Sequence, residues 1–122
     1  MTSATEAARA ERAVLDLLGL AARAGAIVWG TDAVRDGVRN GKVARVVLAA
    51  DAAPAQRAKL MPLLEAKRLR HDTVLDRQRL GAAIGRTGVS AIGLTDRNLA
   101  RRAGELLATL TSLQDSAREE GR

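Results

Sequence analysis

Apolar residues in the first stretch of the chain recur at helical spacing. Ala10, Val14, Leu17, Leu18 and Ala21 fall on one face of a helix. Ser3 and Glu6 stand at capping-box spacing ahead of them, and Gly25 suits a left-handed stop. "AIVWG" is then a short β-prone run. "TDAVRDGVRNG" predicts a second helix, with Thr31 and Asp32 as N-cap candidates, an end at Asn40-Gly41, and an apolar face of Ala33, Val34, Gly37 and Val38. A glycine inside a helix is about 1 kcal/mol worse than alanine, so Gly37 points to close packing against a neighbour.

The periodicity then changes. "ARVVLAAD" is apolar without alternation, as in a strand covered on both faces. "APAQRAKLMPLLEAKRL" predicts a helix with Pro54 in its first turn and a kink or restart at Pro62. "HDTVL" is a third short strand. "DRQRLGAAIG" is a short helix capped by Asp76 and stopped by Gly85, and "GVSAIGLT" is a fourth strand. "DRNLARRAGELLATL" is a last helix capped by Asp96, with Leu99, Ala103, Leu106, Leu107 and Leu110 inward. Helices alternate with short apolar strands, which predicts an α/β sandwich three layers deep. There is no linker and no internal repeat. The 122 residues form one domain, with a core over about residues 9–110 and an acidic, loose tail over 111–122.

Composition narrows the core. With one Trp, no Phe and no Tyr, it is built from Ala, Val, Leu and Ile. Zero Cys excludes disulfides, thiolate catalysis and Cys-bound metal. "MTSATEAARAERAV" has no apolar segment of signal-peptide type, and no run approaches the roughly 20 apolar residues of a membrane helix. A soluble, cytoplasmic protein is expected.

Charge is distributed unevenly. Residues 23–102 carry 16 basic and 7 acidic residues, a net +9, and the flanks carry 4 basic and 7 acidic, a net −3. The predicted core is therefore the basic part, which favours a polyanionic partner. The plainer reading is that the basic residues are solvated cover.

Little in the chain suggests catalysis. His71 is the single His, in a basic turn, and a lone surface His is usually solvated. There is no G-x-S-x-G and no phosphate-loop signature, and Gly81, Gly85 and Gly88 read better as helix-end and turn glycines. Asp32 and Asp36 read as caps or as partners of Arg35 and Arg39 rather than as a carboxylate pair. No enzyme, cofactor or metal is expected.

The start of the second helix is the better candidate. A helix N-terminus offers free N–H groups and partial positive charge. Gly30 permits close backbone approach, Thr31 and Asp32 can hydrogen-bond to an edge or cap the helix, and Arg35, Arg39 and Lys42 follow along the same course. A phosphate backbone laid along this helix would meet those three cations in turn.

Three ordered segments carry a resemblance: "NGKVARVVLAAD" after a Gly-led helix start, the Pro-Leu-Leu helix "LMPLLEAKRL", and "RLGAAIGRTG" before a strand ending in Thr-Asp. The set, over about residues 14–108, resembles the L-seven-Ae / L-thirty-e ribosomal protein superfamily of kink-turn RNA-binding proteins. It is most similar to the bacterial YlxQ-like RNA-binding proteins. The resemblance implies a three-layer α/β/α sandwich with a small four-stranded mixed sheet. It also implies RNA contact through the second-helix start and through the loop before the last strand, here Arg86, Thr87 and Gly88. Where kink-turn binders carry Gly-Thr-Asn-Glu-x-x-Lys, this chain has Gly30, Thr31, Asp32, Ala33 and, at the Lys position, Asp36. An ionised Asp32 only accepts hydrogen bonds, Ala33 accepts none from a guanine edge, and Asp36 is an anion where a phosphate calls for a cation.

The leading expectation is non-catalytic binding of structured RNA, with ribosomal or ribosome-associated RNA and the transcription or translation machinery as partners. The alternative is a protein–protein interaction module on the same fold. Trp29 is expected to be a buried core plug with its indole edge near the helix start, and the other possibility is an exposed ring that stacks on a base.

Overall fold

A computed structural model describes residues 3–120. The elements, in chain order, are α1 (Ser3–Arg23), β1 (Ile27–Trp29), α2 (Thr31–Arg39), β2 (Arg45–Leu48), α3 (Pro54–Ala66), β3 (His71–Thr73), α4 (Arg77–Ala83), β4 (Ala91–Leu94) and α5 (Arg97–Glu120). The four strands form one mixed sheet in the order β1-β4-β2-β3. β4 is antiparallel to both β1 and β2, and β2 is parallel to the edge strand β3. The chain is the α/β sandwich expected from its pattern.

Strand alternation divides the core between the two faces of the sheet. Val47, Ile92 and Leu94 pack with Leu17, Leu18, Leu80, Leu107 and Leu110 under α1, α4 and α5. Val46, Leu48 and Ala91 pack with Val34, Val38, Leu60 and Leu64 under α2 and α3. The second layer sits close to the sheet through two glycines. A Cβ on Gly37 would come within 2.8 Å of a Val43 methyl, and a Cβ on Gly93 within 3.0 Å of Val28 and Val43.

Two expectations are corrected and two are narrowed. The α2 N-cap is Gly30, with no side-chain cap, because β1 runs straight into the helix and Thr31 is already its first residue. Thr31 is buried on the inward face with Val34 and Val38, and Ala33 is exposed. α3 passes through Pro62 as one helix, without a restart, and Pro62 and Ala58, whose carbonyl loses its helical donor, both lie on the exposed side. Of the expected tail, residues 111–120 are the helical end of α5. Leu110 and the partly buried Leu113 continue the helical apolar period there. The capping-box reading depends on the Ser3 side chain, which lies outside the described residues; the caps at Asp76 and Asp96 form as expected, accepting from the backbone N–H of Arg79 (2.7 Å) and Leu99 (2.9 Å).

Candidate nucleic-acid interface

The strand register fixes one end of the sheet. Trp29 pairs with Ile92, and the next backbone N–H, that of Gly30, donates to the Ala91 carbonyl at 2.9 Å. The last rung of the ladder is thus the N-cap of α2. Gly30 holds φ 91°, a conformation that suits glycine. The α2 start is in this way anchored to the beginning of β4, and the loop that leads into β4 arrives beside it.

That loop, residues 84–90, folds back on α4. Arg86 N–H donates to the Gly81 carbonyl at 2.8 Å and Val89 N–H to the Arg77 carbonyl at 3.0 Å. Gly81 makes the contact possible, since a Cβ there would come within 2.6 Å of the Gly88 nitrogen. Gly88 itself takes φ 68°. The fold-back sends Arg86 over the Trp29 ring, with its guanidinium carbon 4.5 Å from the ring centroid. Such a stack on a partly exposed ring contributes about 0.5–1 kcal/mol. It joins the two segments that the sequence placed far apart.

Trp29 is 42% exposed, which corrects the expectation of a buried plug. In the middle of its strand a neighbour covers each face, but at the strand's end the ring lies over the rim, where Arg86 is its cover.

The predicted residues fall into two groups. Gly30, Asp32, Arg86, Thr87 and Gly88 gather at this end, with Arg35 half-buried one turn into α2. Thr31 is 8% exposed, so its side chain serves packing more than contact. Arg39 and Lys42 are exposed but run away from the loop. Arg39 lies about 12 Å along the helix axis from Thr31, toward the opposite end of the sheet. The Asp32 carboxylate pairs with neither Arg35 nor Arg39. It faces Lys59 of α3 at 3.6 Å, an exposed pair that contributes little.

Lys59 and a second cluster were missed in the sequence. Beside Thr87 and Gly88 lies a cavity of about 650 Å³, lined by Asp51, Arg77, Gln78 and Ser90 as well. The Asp51 carboxylate accepts from the Arg77 backbone N–H at 2.8 Å and faces its guanidinium at 3.5 Å. The backbone hydrogen bond, helped by the guanidinium charge, holds the Asp51 pKa below its ordinary value. No sequence signal marked this pair, because it depends on the β2–α3 loop meeting the start of α4. His71 is partly buried, with its Nδ1 2.9 Å from the Leu69 carbonyl. Among the described residues no acidic, His or Cys cluster could hold a metal, and no helix is long and apolar enough to cross a membrane.

No curated protein matches the chain. Solved structures share its fold, and two of them serve for comparison. A protein of unknown function from Bacillus halodurans is 36% identical over 78% of this chain and 96% of its own, with a TM-score of 0.75. The Giardia lamblia 15.5kD RNA binding protein is 22% identical over 88% of this chain and 90% of its own, with a TM-score of 0.69. The family model that matches residues 12–103 covers the sheet, the α2 start and the Arg86 loop together, and the chain belongs to the Ribosomal protein L7Ae/L30e/S12e/Gadd45 family.

Proposed function

We propose that this protein binds structured RNA, without catalysis, at the end of the sheet where α2 begins. The observation that carries the reading is the Arg86–Trp29 stack. It sets a cation and a half-exposed aromatic ring beside a glycine helix start, so phosphate and base face can be met at one place. Family membership and the RNA-binding Giardia homologue of the same fold support it. Exposed Ala33 and Asp36 reduce the edge-reading and phosphate-pairing capacity of α2. The RNA reading is therefore a broad one, in which phosphate contacts by Arg35 and Arg86 outweigh kink-turn discrimination. Ribosomal or ribosome-associated RNA in the cytoplasm is the class we assign.

The test is a titration of end-labelled RNAs (a kink-turn, a straight duplex and a hairpin loop) followed by anisotropy at two salt concentrations. Strongly salt-dependent binding to all three supports the broad reading. Submicromolar preference for the kink-turn means that Asp32 and Arg35 rebuild the specific readout. Absence of binding at low salt overturns the RNA reading and favours a protein partner.

A further inference from the structure

The other end of the sheet is also cationic. β2 begins there with Arg45, which pairs with Leu94 in the ladder and shares the α5 side of the sheet with Asp72 of β3. α5 covers the middle of the sheet but leaves this corner open. The result is a groove of about 680 Å³ between the β2–β3 corner and the first turns of α5, lined by Arg45, Arg70, Arg97, Arg101 and Glu105 over a floor of Ala44, Ala100, Gly104 and Ala108.

The arginines differ in their freedom. Arg45 is fixed. Its Nη1 donates to Asp72 at 2.5 Å, and its guanidinium lies against Gly104, where any Cβ would come within 2.6 Å of Nη2. Arg101 reaches Glu105 at 3.4 Å, and both side chains are two-thirds exposed (66% and 67%), a pair that water screens. Among the described residues, Arg70 and Arg97 have no carboxylate within ion-pair reach. Two uncompensated guanidinium groups thus flank a groove whose fixed charges are already paired.

The floor decides between partners. It offers only alanines and a glycine, and protein interfaces depend on large apolar or aromatic anchors seated in pockets. A phosphodiester backbone needs no such anchor, and the planar fork of Arg matches phosphate oxygens. We propose that this groove is a second RNA-binding surface, which takes the backbone of an RNA segment other than the one held at the Trp29–Arg86 end. The proposal rests on the reading of the protein as an RNA binder. It makes the protein a bridge between two RNA segments, one at each end of its sheet.

The experiment is an amide NMR titration with a short RNA duplex, and in parallel with poly-glutamate. It uses the wild-type chain, a groove variant (Arg70→Gln, Arg97→Gln, Arg101→Gln) and a first-site variant (Arg35→Glu, Arg86→Glu). All the substituted side chains are exposed or half-exposed, and the spectra themselves report whether each variant is folded. RNA should move the Ala100, Gly104 and Ala108 amides in the wild type and in the first-site variant. The groove variant should lose those shifts and keep the ones at Gly30 and Gly88. Binding at the groove should weaken with a log–log salt slope of about −2 to −3 for three phosphates. Shifts confined to Gly30 and Gly88 overturn the second surface and leave the first. Shifts confined to the groove uphold the second surface and overturn the first. Silence at both ends overturns both, and groove shifts with poly-glutamate but not with RNA overturn the proposal in favour of an acidic protein.

Discussion

The two layers that cover the sheet are built on different terms. The α1/α5 side is filled by leucines, among them Leu18, Leu80, Leu107 and Leu110, together with Ile92 and Leu94. The α2/α3 side is a smaller set, Val34, Val38, Val43 and Val46 with Leu48, Leu60, Leu64 and Ala91, and Gly37 and Gly93 bring α2 onto Val28 and Val43. The first layer buries the larger set of side chains, and the second joins a smaller set to close backbone approach. The candidate interface is carried by the second kind. α2 is a short helix whose start is pinned by backbone to β4 and whose inward side buries only Val34 and Val38 beside Thr31 and Gly37, so its position depends on a few close contacts.

The largest expected effect breaks the thick layer. Leu107→Ala should cost about 2–5 kcal/mol, read as a lower denaturant midpoint, with RNA affinity of the folded fraction unchanged. Gly37→Ala tests the thin layer. The gain of helix propensity is about 1 kcal/mol, but the new methyl meets the stiff, buried Val43 at 2.8 Å. The net should be a loss of about 1–2 kcal/mol in thermal unfolding, with RNA binding weakened as the α2 start shifts. Equal affinity in wild type and Gly37→Ala would show that the interface tolerates movement of its helix. Trp29→Ala separates binding from folding: it should weaken RNA binding by about 1–3 kcal/mol by removing a stacking platform. Its effect on stability should be smaller than that of Leu107→Ala, since the ring is partly solvated. The smallest effect concerns the latch between the layers, Asp51 to Arg77. A lowered folded pKa means that its contribution is present above the unfolded value and is lost as pH falls through the folded one. Wild type should therefore exceed Asp51→Asn in stability near neutral pH, and the difference should close on acidification.

Most of the fold was legible because period and punctuation agree along the chain. Asp76, Asp96, Gly25 and Gly85 stop or start helices where their chemistry requires. The differences turned on which side of an element meets solvent and on how tightly one element follows the last. Pro62 sits on the exposed side of α3, Thr31 is not a cap because Gly30, the single residue between strand and helix, takes that position, and α5 runs on because Leu113 still has something to cover. The interface was half legible. The Gly30 start and the Arg86 loop were each visible, the second through resemblance. Their junction was not, because Arg86 reaches Trp29 only through the antiparallel β1–β4 register and the Gly81 fold-back. The distal arginines were visible only as net charge, since nothing in their spacing places residues 45, 70 and 97 around one groove.

The single Trp, in a chain with no Tyr or Phe, has an optical consequence. All the intrinsic fluorescence comes from a rim residue under a guanidinium, not from the hydrophobic core. An emission change on heating would report the Arg86 loop lifting from the ring, while far-ultraviolet circular dichroism would report the helices. If the loop opens below the global transition, the two curves separate, and their gap measures the local stability of the interface.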